Sequence, residues 1–577
     1  MFRDSSDNGK LALEKEKIYL VEFFLGDQAR VKLRLNKAKR RRTAIKEEEG
    51  MPPPITDLKN NPCDKDLHTE ICIIGSGPAG GVLAGRLSEL NIPSLILESG
   101  DDSLNNNADH INGAMIGSGE MDIRYGWSHQ HGGASNLWAG RICPLENTDF
   151  AAREWVHPES WPIPYPEMKS FYSEASEVLG VSDFSQFEEL KNIKETSPIA
   201  FAINASDITE LKSFLWSKKT FKVRDYLTNI QKSSYNIKTL LNANVLHIRE
   251  NETCNTIEYI TVRNPNGKVF KVYAKYVIIA AGGIHTPRIL LNSKFVQKKG
   301  VGNLHGNVGR YLSTHPKANL AALILNKSMP ISGPLFADQP LNNGAFRYGI
   351  GLSEKVQIEH KLLNHYVQLS PLFEHQANKA FEKLKNSKLL DSGVINKNKL
   401  IQGLLPGAGK LAYAAIGRAA GLQPRAKKFI LRSFLDQYPN KENCVSLSSE
   451  LDSCGVHNVD IKWDFSTKDK LSVIQFFELL SRDLEHRKVG HIEYSGLKEQ
   501  EKWPLIGIHS HFMGTTRMGE DEKTSVTDGN GKVHGYSNLF ISGPSLFPTY
   551  GYANPFYTIT ALALRLGNHL HKITNSG

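Results

Sequence analysis

The glycine-rich segment Gly75-Ser-Gly77-Pro-Ala-Gly80 constrains the fold of this chain more than any other feature. It follows the apolar run Ile71–Ile74 and precedes a helix-favouring stretch, so the sequence predicts a strand, a tight turn and a helix. In such a unit the first glycine permits the turn, the second lets the backbone approach a pyrophosphate, and the third permits close packing of helix on strand. The phosphate would then lie at the N-terminus of the helix.

A second apolar run, Ser94–Leu97, ends in Glu98 about twenty residues beyond the glycines. An acid at this spacing accepts hydrogen bonds from ribose hydroxyls and repels a 2′-phosphate. The sequence therefore predicts a dinucleotide site that contains Gly75, Gly77, Gly80 and Glu98. The alternative is an ordinary glycine turn within a βαβ unit.

Length and charge limit the class of protein. The chain has 577 residues, 40% of them hydrophobic and 23% charged, which predicts a globular protein with room for two or more large lobes. The net charge of +10 is spread along the sequence, apart from basic stretches at 37–42 and 410–432. We expect no nucleic-acid partner, because no reader motif accompanies this charge. A solvated basic surface is the simplest interpretation, and an anionic partner or a membrane surface is the alternative.

The cysteines and the N-terminus bear on the cellular compartment. The six cysteines are scattered without CxxC spacing, and Cys72 lies inside the first predicted strand. This pattern predicts reduced thiols and no metal site. The N-terminus is charged and lacks an apolar core of signal-peptide length, and no apolar run reaches the roughly eighteen residues of a membrane span. We therefore expect a cytoplasmic protein.

The C-terminal region holds the residues best suited to chemistry. His511 lies in the segment His509-Ser-His511-Phe-Met-Gly514, and Asn554 lies in Gly551-Tyr-Ala-Asn554-Pro555. By themselves these are weak signals, because a histidine before a glycine is more often structural and Asn-Pro usually marks a turn or a helix start. If the first segment is extended, His509 points to the same side as His511, so a supporting role for His509 stays open.

Several segments occur in a characteristic order: Gly75–Gly80 with Glu98, Gly132-Gly133-Ala-Ser135, Ala280–Pro287, Val308-Gly309-Arg310 with His315, Pro439–Asn443 with Asp452, and the C-terminal block. Together they resemble the glucose-methanol-choline (GMC) flavin oxidoreductases over roughly residues 68–572. Gly-Thr-Thr-Arg-Met-Gly519 and Ala553-Asn554-Pro555 look most like the branch of pyranose oxidases and bacterial sugar and polyol dehydrogenases.

The resemblance implies an α/β fold with a discontinuous Rossmann-like FAD-binding lobe and an α+β substrate lobe built on an antiparallel sheet. We expect a charged N-terminal extension over residues 1–66. The FAD-binding lobe is expected at 67–150, 236–315 and 501–577, and the substrate lobe at 151–235 and 316–500.

An insertion at 376–439 within the substrate lobe is rich in lysine and helix formers and is the least family-like segment. We interpret it as a lid or an oligomerisation arm. The alternatives are a solvated helical decoration, and an amphipathic contact with a membrane or a quinone through residues 400–422.

The resemblance also implies roles for the two C-terminal candidates. His511 takes the position of the family's catalytic histidine, and Asn554 that of the second active-site residue, which is His or Asn among members. Oxidation of an alcohol sends a hydride to flavin N5 and the hydroxyl proton to a base. Neutral imidazole, with an unperturbed pKa of about 6.5, suits that base. Asn554 can hydrogen-bond the same hydroxyl without taking its proton.

Further FAD contacts are implied by the same resemblance. They are the backbone at Gly133, Ser135 and Asn136 along the isoalloxazine or the pyrophosphate, Val245 at the adenine, Gly543 and Ser545 near the flavin, and the helix start at Asn554 and Pro555 near its pyrimidine end. Many relatives have an acid in place of Gly543. Leu137 stands where relatives with covalent FAD carry the linking histidine. We therefore expect FAD to be bound non-covalently.

The leading hypothesis is an FAD-dependent oxidoreductase that oxidises a CH-OH group of a sugar, glycoside or polyol. The alternatives are an FAD-containing lyase of the same fold, which uses acid/base chemistry without net redox, and a flavin-binding scaffold without turnover. The sequence leaves open the substrate, the oligomeric state and the electron acceptor, which is O₂, a quinone or another carrier.

Overall fold

The computed structural model describes residues 54–576, apart from 64, 104–126, 158, 192–196, 332, 373–424, 495, 498–502 and 507–510. The strands are β1 (Ile55–Asp57), β2 (Leu67–Ile74), β3 (Ser94–Leu97), β4 (Arg141–Ile142), β5 (Thr209–Ser217), β6 (Ile237–Leu241), β7 (Asn244–Glu250), β8 (Ile257–Arg263), β9 (Val269–Ile279), β10 (Lys317–Pro330), β11 (Gln339–Leu341), β12 (Gly344–Leu352), β13 (Tyr366–Leu372), β14 (Arg425–Phe434), β15 (Cys444–Leu451), β16 (His457–Lys462), β17 (Gly490–Glu493) and β18 (Leu539–Ile541). The helices are α1 (Pro78–Glu89), α2 (Asn147–Phe150), α3 (Tyr165–Leu179), α4 (Ser185–Lys191), α5 (Pro198–Asn204), α6 (Val223–Gln231), α7 (Gly282–Asn292), α8 (Glu354–Glu359), α9 (Thr467–His486) and α10 (Phe556–Asn575).

The first sheet has the strand order β1-β6-β3-β2-β9-β8-β7, and β18 also pairs with β9. Neighbours from β1 to β9, and the pair β9 and β18, run parallel, whereas β7, β8 and the first residues of β9 pair antiparallel. Residues Ile71–Ile74 of β2 are at most 4% exposed, as expected for a parallel strand covered on both faces. The carboxyl ends of β2, β3 and β9 therefore meet at one edge, which is where ligands bind in such sheets.

The second sheet has the order β17-β10-β14-β13-β12-β5-β4, with β11 beside β12, and every pairing is antiparallel. Successive side chains alternate between its faces. Leu369 and Leu431 are buried on one face, and Tyr348 on that face donates a hydrogen bond to the Leu190 carbonyl of α4 at 2.5 Å. The opposite face carries Phe214 and Tyr366, which the site below uses.

The expected fold class, α/β with an antiparallel second sheet, is confirmed. Several elements also match their predicted positions: β2 ends at Ile74, α1 follows the glycine turn at Pro78–Glu89, and β3 covers Ser94–Leu97. The division into lobe segments stays a prediction.

The end of the predicted insertion is wrong. Residues 425–434 form β14, which lies between β10 and β13 in the second sheet. Its lysines and arginines obscured an alternating pattern, in which Phe429, Leu431 and Ser433 are buried. The rest of the insertion, 376–424, and the N-terminal segment 1–53 lie outside the described residues.

Candidate active site

Two glycines of the predicted dinucleotide motif, at the junction of β2 and α1, lie where no other residue would fit. Gly75 has a φ of +104°, and a Cβ added there would lie 2.7 Å from the Ala280 carbonyl oxygen that follows β9. A Cβ on Gly80 would lie 2.0 Å from the Gly75 oxygen. These contacts bring α1 close to the edge where β2 and β9 end.

Gly77 and Gly133 bring a second loop against the start of α1. Gly77 precedes α1 without a side-chain cap, so the first amides of the helix are open to an anion. Gly133 begins a 3₁₀ turn, Gly133–Asn136, and a Cβ on it would lie 2.7 Å from Gly77 Cα. The two loops thus form a backbone cradle at the helix N-terminus.

Glu98 lies beside this cradle at the end of β3 and is 5% exposed. Its carboxylate accepts hydrogen bonds from the Ser76 amide at 2.9 Å, the Ser76 hydroxyl at 2.6 Å and the Gly100 amide at 2.9 Å. A carboxylate has about four acceptor positions, and the Ser99 hydroxyl approaches the fourth at 3.5 Å. Because Ser99 also lies 3.1 Å from His129 Nδ1, it can bond there and leave this position of Glu98 to a ribose hydroxyl. The Ala243 amide donates to the Glu98 carbonyl oxygen, which brings Val245 and the start of β7 to the same end of the site.

The side chains of Ser135 and Asn136 are engaged within the protein. The Ser135 hydroxyl donates to the Gly132 oxygen at 2.6 Å, and the Asn136 amide donates to Gln130 at 3.2 Å and to the His131 oxygen at 3.1 Å. A contact between this loop and a cofactor would therefore use its backbone. Leu137, which follows the 3₁₀ turn, is 47% exposed.

Residues after β18 form the wall opposite α1, and they provide a test of whether FAD fits. Gly543 has a φ of +131°, and a Cβ there would meet only Ala79 Cβ, at 3.5 Å. The hydroxyls of Ser542 and Ser545 are buried and make no hydrogen bond among the described residues. Buried polar groups are normally paired. Unpaired hydroxyls beside a glycine cradle and an open helix N-terminus fit a polar, phosphate-bearing cofactor such as FAD.

His511 is held by a second histidine. Its Nδ1 lies 3.0 Å from Nδ1 of His315, and the two rings are perpendicular with centroids 5.1 Å apart. His315 is 3% exposed, and burial lowers its pKa to about 4, a shift that nearby carbonyls of Tyr550 and Gly551 partly offset. His315 is therefore neutral near pH 7 and carries one ring proton, so one Nδ1 of the pair donates and the other accepts.

Asn554 lies immediately before the C-terminal helix. Its amide donates to the Arg141 carbonyl oxygen of β4 at 3.2 Å, and Pro555 occupies the position before α10. Two residues earlier, the Tyr552 ring packs on the second sheet, with centroids 5.9 Å from Phe214 and 4.9 Å from Tyr366. The loop that carries Asn554 is therefore fixed to the second sheet, while the carbonyls of Tyr550 and Gly551 approach the histidine pair.

The sequence motifs indicated no separate role for His315, although it lies in one of the motifs that carry the resemblance. They also indicated no role for a buried ring cluster next to Phe512. His285 forms edge contacts with Trp127 at 5.3 Å and His129 at 5.0 Å, and Trp127 lies 6.3 Å from Phe512. Burial lowers the pKa of His285 well below its usual range. His509, the rival of His511, lies outside the described residues.

Comparison with known proteins decides the family. Two family models, both described as GMC oxidoreductase, match residues 217–317 and 439–563. The chain belongs to the GMC oxidoreductase family. It is an FAD-dependent oxidoreductase of alcohols or sugars.

Two relatives of this GMC oxidoreductase span most of its length, and a third matches a short segment. The 2-methyl-1,2-propanediol dehydrogenase of Mycolicibacterium austroafricanum is 22% identical, with 88% of this chain and 95% of the relative covered. The 6'''-hydroxyparomomycin C oxidase of Streptomyces lividus is also 22% identical, with 87% and 91% covered. Pyranose 2-oxidase of Tricholoma matsutake is 42% identical over 59 residues, which are 10% of each chain.

Solved structures share the fold of this GMC oxidoreductase. Pyridoxine 4-oxidase from Mesorbium loti aligns with a TM-score of 0.51 and 17% identity, over 87% of this chain and 99% of the other. A fungal aryl-alcohol oxidase aligns with a TM-score of 0.53 and 14% identity, over 87% and 99%. At these identities the similarity supports the fold alone.

Other features of the described residues bear on the earlier expectations. The six cysteines are free, and Cys72 and Cys143 are buried. No cluster of His, Cys, Asp and Glu side chains in the described part could hold a metal ion. Within those same residues, every helix is too short or too polar to cross a membrane.

Proposed function

We propose that this GMC oxidoreductase oxidises a CH-OH group of a sugar, glycoside or polyol, with His511 as the general base. The observation that carries the proposal is the 3.0 Å contact between Nδ1 of His511 and Nδ1 of the buried His315. FAD, when bound, supplies the acceptor for the hydride that leaves the carbon. Protein side chains remove the proton and orient the hydroxyl.

The histidine pair determines which nitrogen of His511 can act as the base. When Nδ1 of His511 donates to Nδ1 of His315, the lone pair of His511 lies on Nε2, which can take the hydroxyl proton. The opposite arrangement would put a proton on Nε2 and block that role. Nε2 of His315 is buried without a hydrogen-bond partner among the described residues, but the nearby carbonyls of Tyr550 and Gly551 favour protons on this ring. A proton on Nε2 of His315 leaves its Nδ1 able to accept, as the first arrangement requires. We infer that His315 holds His511 in its reactive tautomer.

Asn554 orients the hydroxyl in this proposal. One N–H of its amide is directed to the Arg141 carbonyl oxygen. The second N–H can donate to the oxygen of the substrate hydroxyl, which leaves the hydroxyl proton for His511. The names of the relatives support a polyol or sugar substrate, because they include a propanediol dehydrogenase, a fructose dehydrogenase subunit and a pyranose oxidase.

We also propose that FAD is bound without a covalent link, because Leu137 has no nucleophilic side chain. Acid precipitation of the purified protein should release the flavin into the supernatant. Flavin that remains in the protein pellet would contradict this expectation. Binding would then rest on the glycine cradle, Glu98, Val245 and the wall at Gly543 and Ser545.

Anaerobic mixing of the FAD-loaded protein with a panel of sugars and polyols tests the function. Oxidation of the substrate should bleach the flavin absorbance near ~450 nm, because the electrons then reside on FAD. A lyase would convert a substrate while the flavin stays oxidised. A scaffold would neither bleach nor convert any member of the panel. Reoxidation of the bleached protein by O₂ or by an artificial quinone then identifies the class of acceptor.

A further inference from the structure

One face of the second sheet carries a group of cations that the proposed mechanism does not use. The group, here called the cationic face, comes from four different strands and consists of Arg141, Lys317, Arg347 and Arg432. Strand pairing places these residues on the same side of the sheet, because directly opposed residues project to the same face.

The residues that lie opposite these four cations in the sheet show that all four share one face. On β5, Trp216 lies opposite Arg141 and Phe214 lies opposite Arg347. Trp216 and Phe214 are two residues apart, so they and their opposed arginines project to the same face. Across β14, Lys317 opposes Phe434, which lies two residues from Arg432. Since Phe434 also opposes Tyr366, the cations share the face on which Tyr366 and Phe214 contact Tyr552.

The charges on this face are poorly compensated. The Lys317 ammonium lies over the Phe434 ring at 5.7 Å and the Arg432 guanidinium lies over the same ring at 5.6 Å. Arg141 lies over Trp216 at 4.6 Å and donates to the Gln368 amide oxygen at 3.4 Å. Among the described residues, no carboxylate lies within ion-pair distance of these three cations.

Among the described residues, the one acid within ion-pair distance of Arg347 is Asp338, at 3.8 Å. Burial lowers the pKa of Lys317, and the charges of Arg432 and Arg141 lower it further. Burial likewise lowers the pKa of Arg347, again with contributions from Arg141 and Arg432. The four cations therefore lie close enough to repel one another, and an anion between them would relieve that repulsion.

Two buried donors on this face also lack acceptors. The Gln368 amide nitrogen and the Arg347 Nε are buried and make no hydrogen bond within the described part of the chain. Gln368 opposes Arg432 in the sheet, so its free N–H groups lie among the cations. Unpaired buried donors next to excess positive charge point to a ligand with anionic oxygens.

The cationic face adjoins both candidate active-site residues. The backbone oxygen of Arg141 accepts the hydrogen bond from Asn554. Lys317 lies two residues beyond His315 and lowers its pKa, and His315 contacts His511. A substrate whose hydroxyl lies between His511 and Asn554 would therefore extend toward these cations.

We propose that the cationic face binds a carboxylate or phosphate group of the alcohol substrate, so that the enzyme acts on acidic sugars or polyols. The inference rests on the proposed function, because it assigns the substrate class of the same site. Charged side chains in a partly buried site bind an opposite charge more strongly than the same groups in water.

Matched substrates of different charge test this proposal on the FAD-loaded enzyme. Glucose is compared with gluconate and glucose 6-phosphate, and glycerol with glycerate and glycerol 3-phosphate, by the rate of anaerobic flavin bleaching. We expect the anionic member of a series to have a kcat/KM at least about tenfold higher, with a preference that weakens as salt rises. The carboxylate and phosphate arms identify the anionic group. Neutral members that react as well as both anionic members would overturn the proposal.

Variants test whether the cationic face causes the preference for anionic substrates. Lys317→Met and Arg432→Met should each lower the ratio of anionic to neutral kcat/KM about tenfold, and Lys317→Arg should retain most of it. Lys275→Met is the matched control, because Lys275 is exposed and lies 5.5 Å from the Tyr276 ring on the other sheet. An unchanged ratio in both methionine variants of the cationic face would contradict the proposal.

Calorimetric titration of the FAD-loaded enzyme with inorganic phosphate separates this proposal from the proposed function. Phosphate binding should weaken about tenfold in Lys317→Met and stay unchanged in Lys275→Met. If no alcohol bleaches the flavin, the proposed function fails and this titration decides on the cationic face alone. Equal phosphate binding by the wild type and Lys317→Met, or none by the wild type, would overturn the inference.

Discussion

The two sheets of this protein present different groups at the proposed sites. The edge of the parallel sheet offers backbone: a glycine turn, an uncapped helix start and a second glycine loop in contact with the first. The antiparallel sheet offers side chains, which come from strands far apart in sequence. Each of these backbone loops is made from consecutive residues and so leaves a motif. A side-chain site on an antiparallel sheet leaves single residues at wide intervals.

Gly77→Val tests the backbone half of this comparison and should have the largest effect. Gly77 has a φ of −66°, and the nearest atom to an added Cβ is Gly133 Cα at 3.9 Å, so the fold itself can accept a side chain. The added side chain would occupy the approach to the helix N-terminus, and we expect FAD affinity to fall by roughly 10²-fold or more, about 3 kcal/mol. The measurement is flavin retained per protein after dialysis.

The control for this variant is Gly455→Ala. Gly455 has a φ of +79° and no heavy atom within 4 Å of an added Cβ, and it lies in the turn between β15 and β16. Alanine there strains the turn without approaching the nucleotide edge, so FAD should be retained. If Gly77→Val keeps its flavin as well as this control does, the cradle is not the phosphate site.

The backbone features at the edge of the parallel sheet could be predicted from the sequence. The turn at Gly75, the acid at Glu98 and the strand Ser94–Leu97 are encoded by consecutive or regularly spaced residues, so they could be read locally. The family resemblance supplied the candidate roles of His511 and Asn554.

The side-chain contacts of the second sheet could not be predicted from local sequence in this way. The contact between His315 and His511 joins residues 196 positions apart, and only the folded chain brings them together. Arg432 looked like part of a solvated basic stretch, because nothing local shows that β14 is a central strand. The cationic face depends on the register of strands that are separated by long stretches of chain.

Changing His315 tests the link between the second sheet and the proposed base. His315→Leu removes the partner of His511 Nδ1, and we expect kcat to fall about tenfold, the equivalent of one hydrogen bond of roughly 1.4 kcal/mol. The acid limb of the kcat/KM profile should move to lower pH, because an acceptor on Nδ1 stabilises the protonated ring. The measurement is flavin reduction as a function of pH.

His315→Asn distinguishes this role from a structural one. The asparagine oxygen can stand near the position of Nδ1 and accept the same bond, so it should restore much of kcat and return the acid limb toward its wild-type position. A purely structural role would lower flavin content and thermal stability in both variants without moving the pH profile.

The smallest effect is expected at Asp436, a buried carboxyl beneath the second sheet. Burial raises its pKa from the ordinary value to about 7, although Arg153 opposes the shift. Because the folded pKa lies above the unfolded one, stability is greatest below about pH 4 for this group and declines as pH rises toward 7. The loss should be on the order of 1 kcal/mol per pH unit in that window.

In Asp436→Asn, the free energy of unfolding should depend less on pH over this range. The variant can still be less stable overall, because its amide meets the Gln437 N–H. Asp207→Asn, at an exposed position, is the control and should leave the slope as in the wild type. A slope that is identical in the wild type and Asp436→Asn would rule out the proposed ionisation.

The most direct test of the central claim is the rate at which an active alcohol reduces the bound FAD in His511→Ala. Stopped-flow absorbance under anaerobic conditions gives this rate, and flavin content shows that the cofactor is retained. We predict a rate roughly 10²–10⁴-fold below the wild type, with partial recovery on addition of imidazole. A rate near the wild-type value with FAD bound would contradict the assignment of His511 as the base.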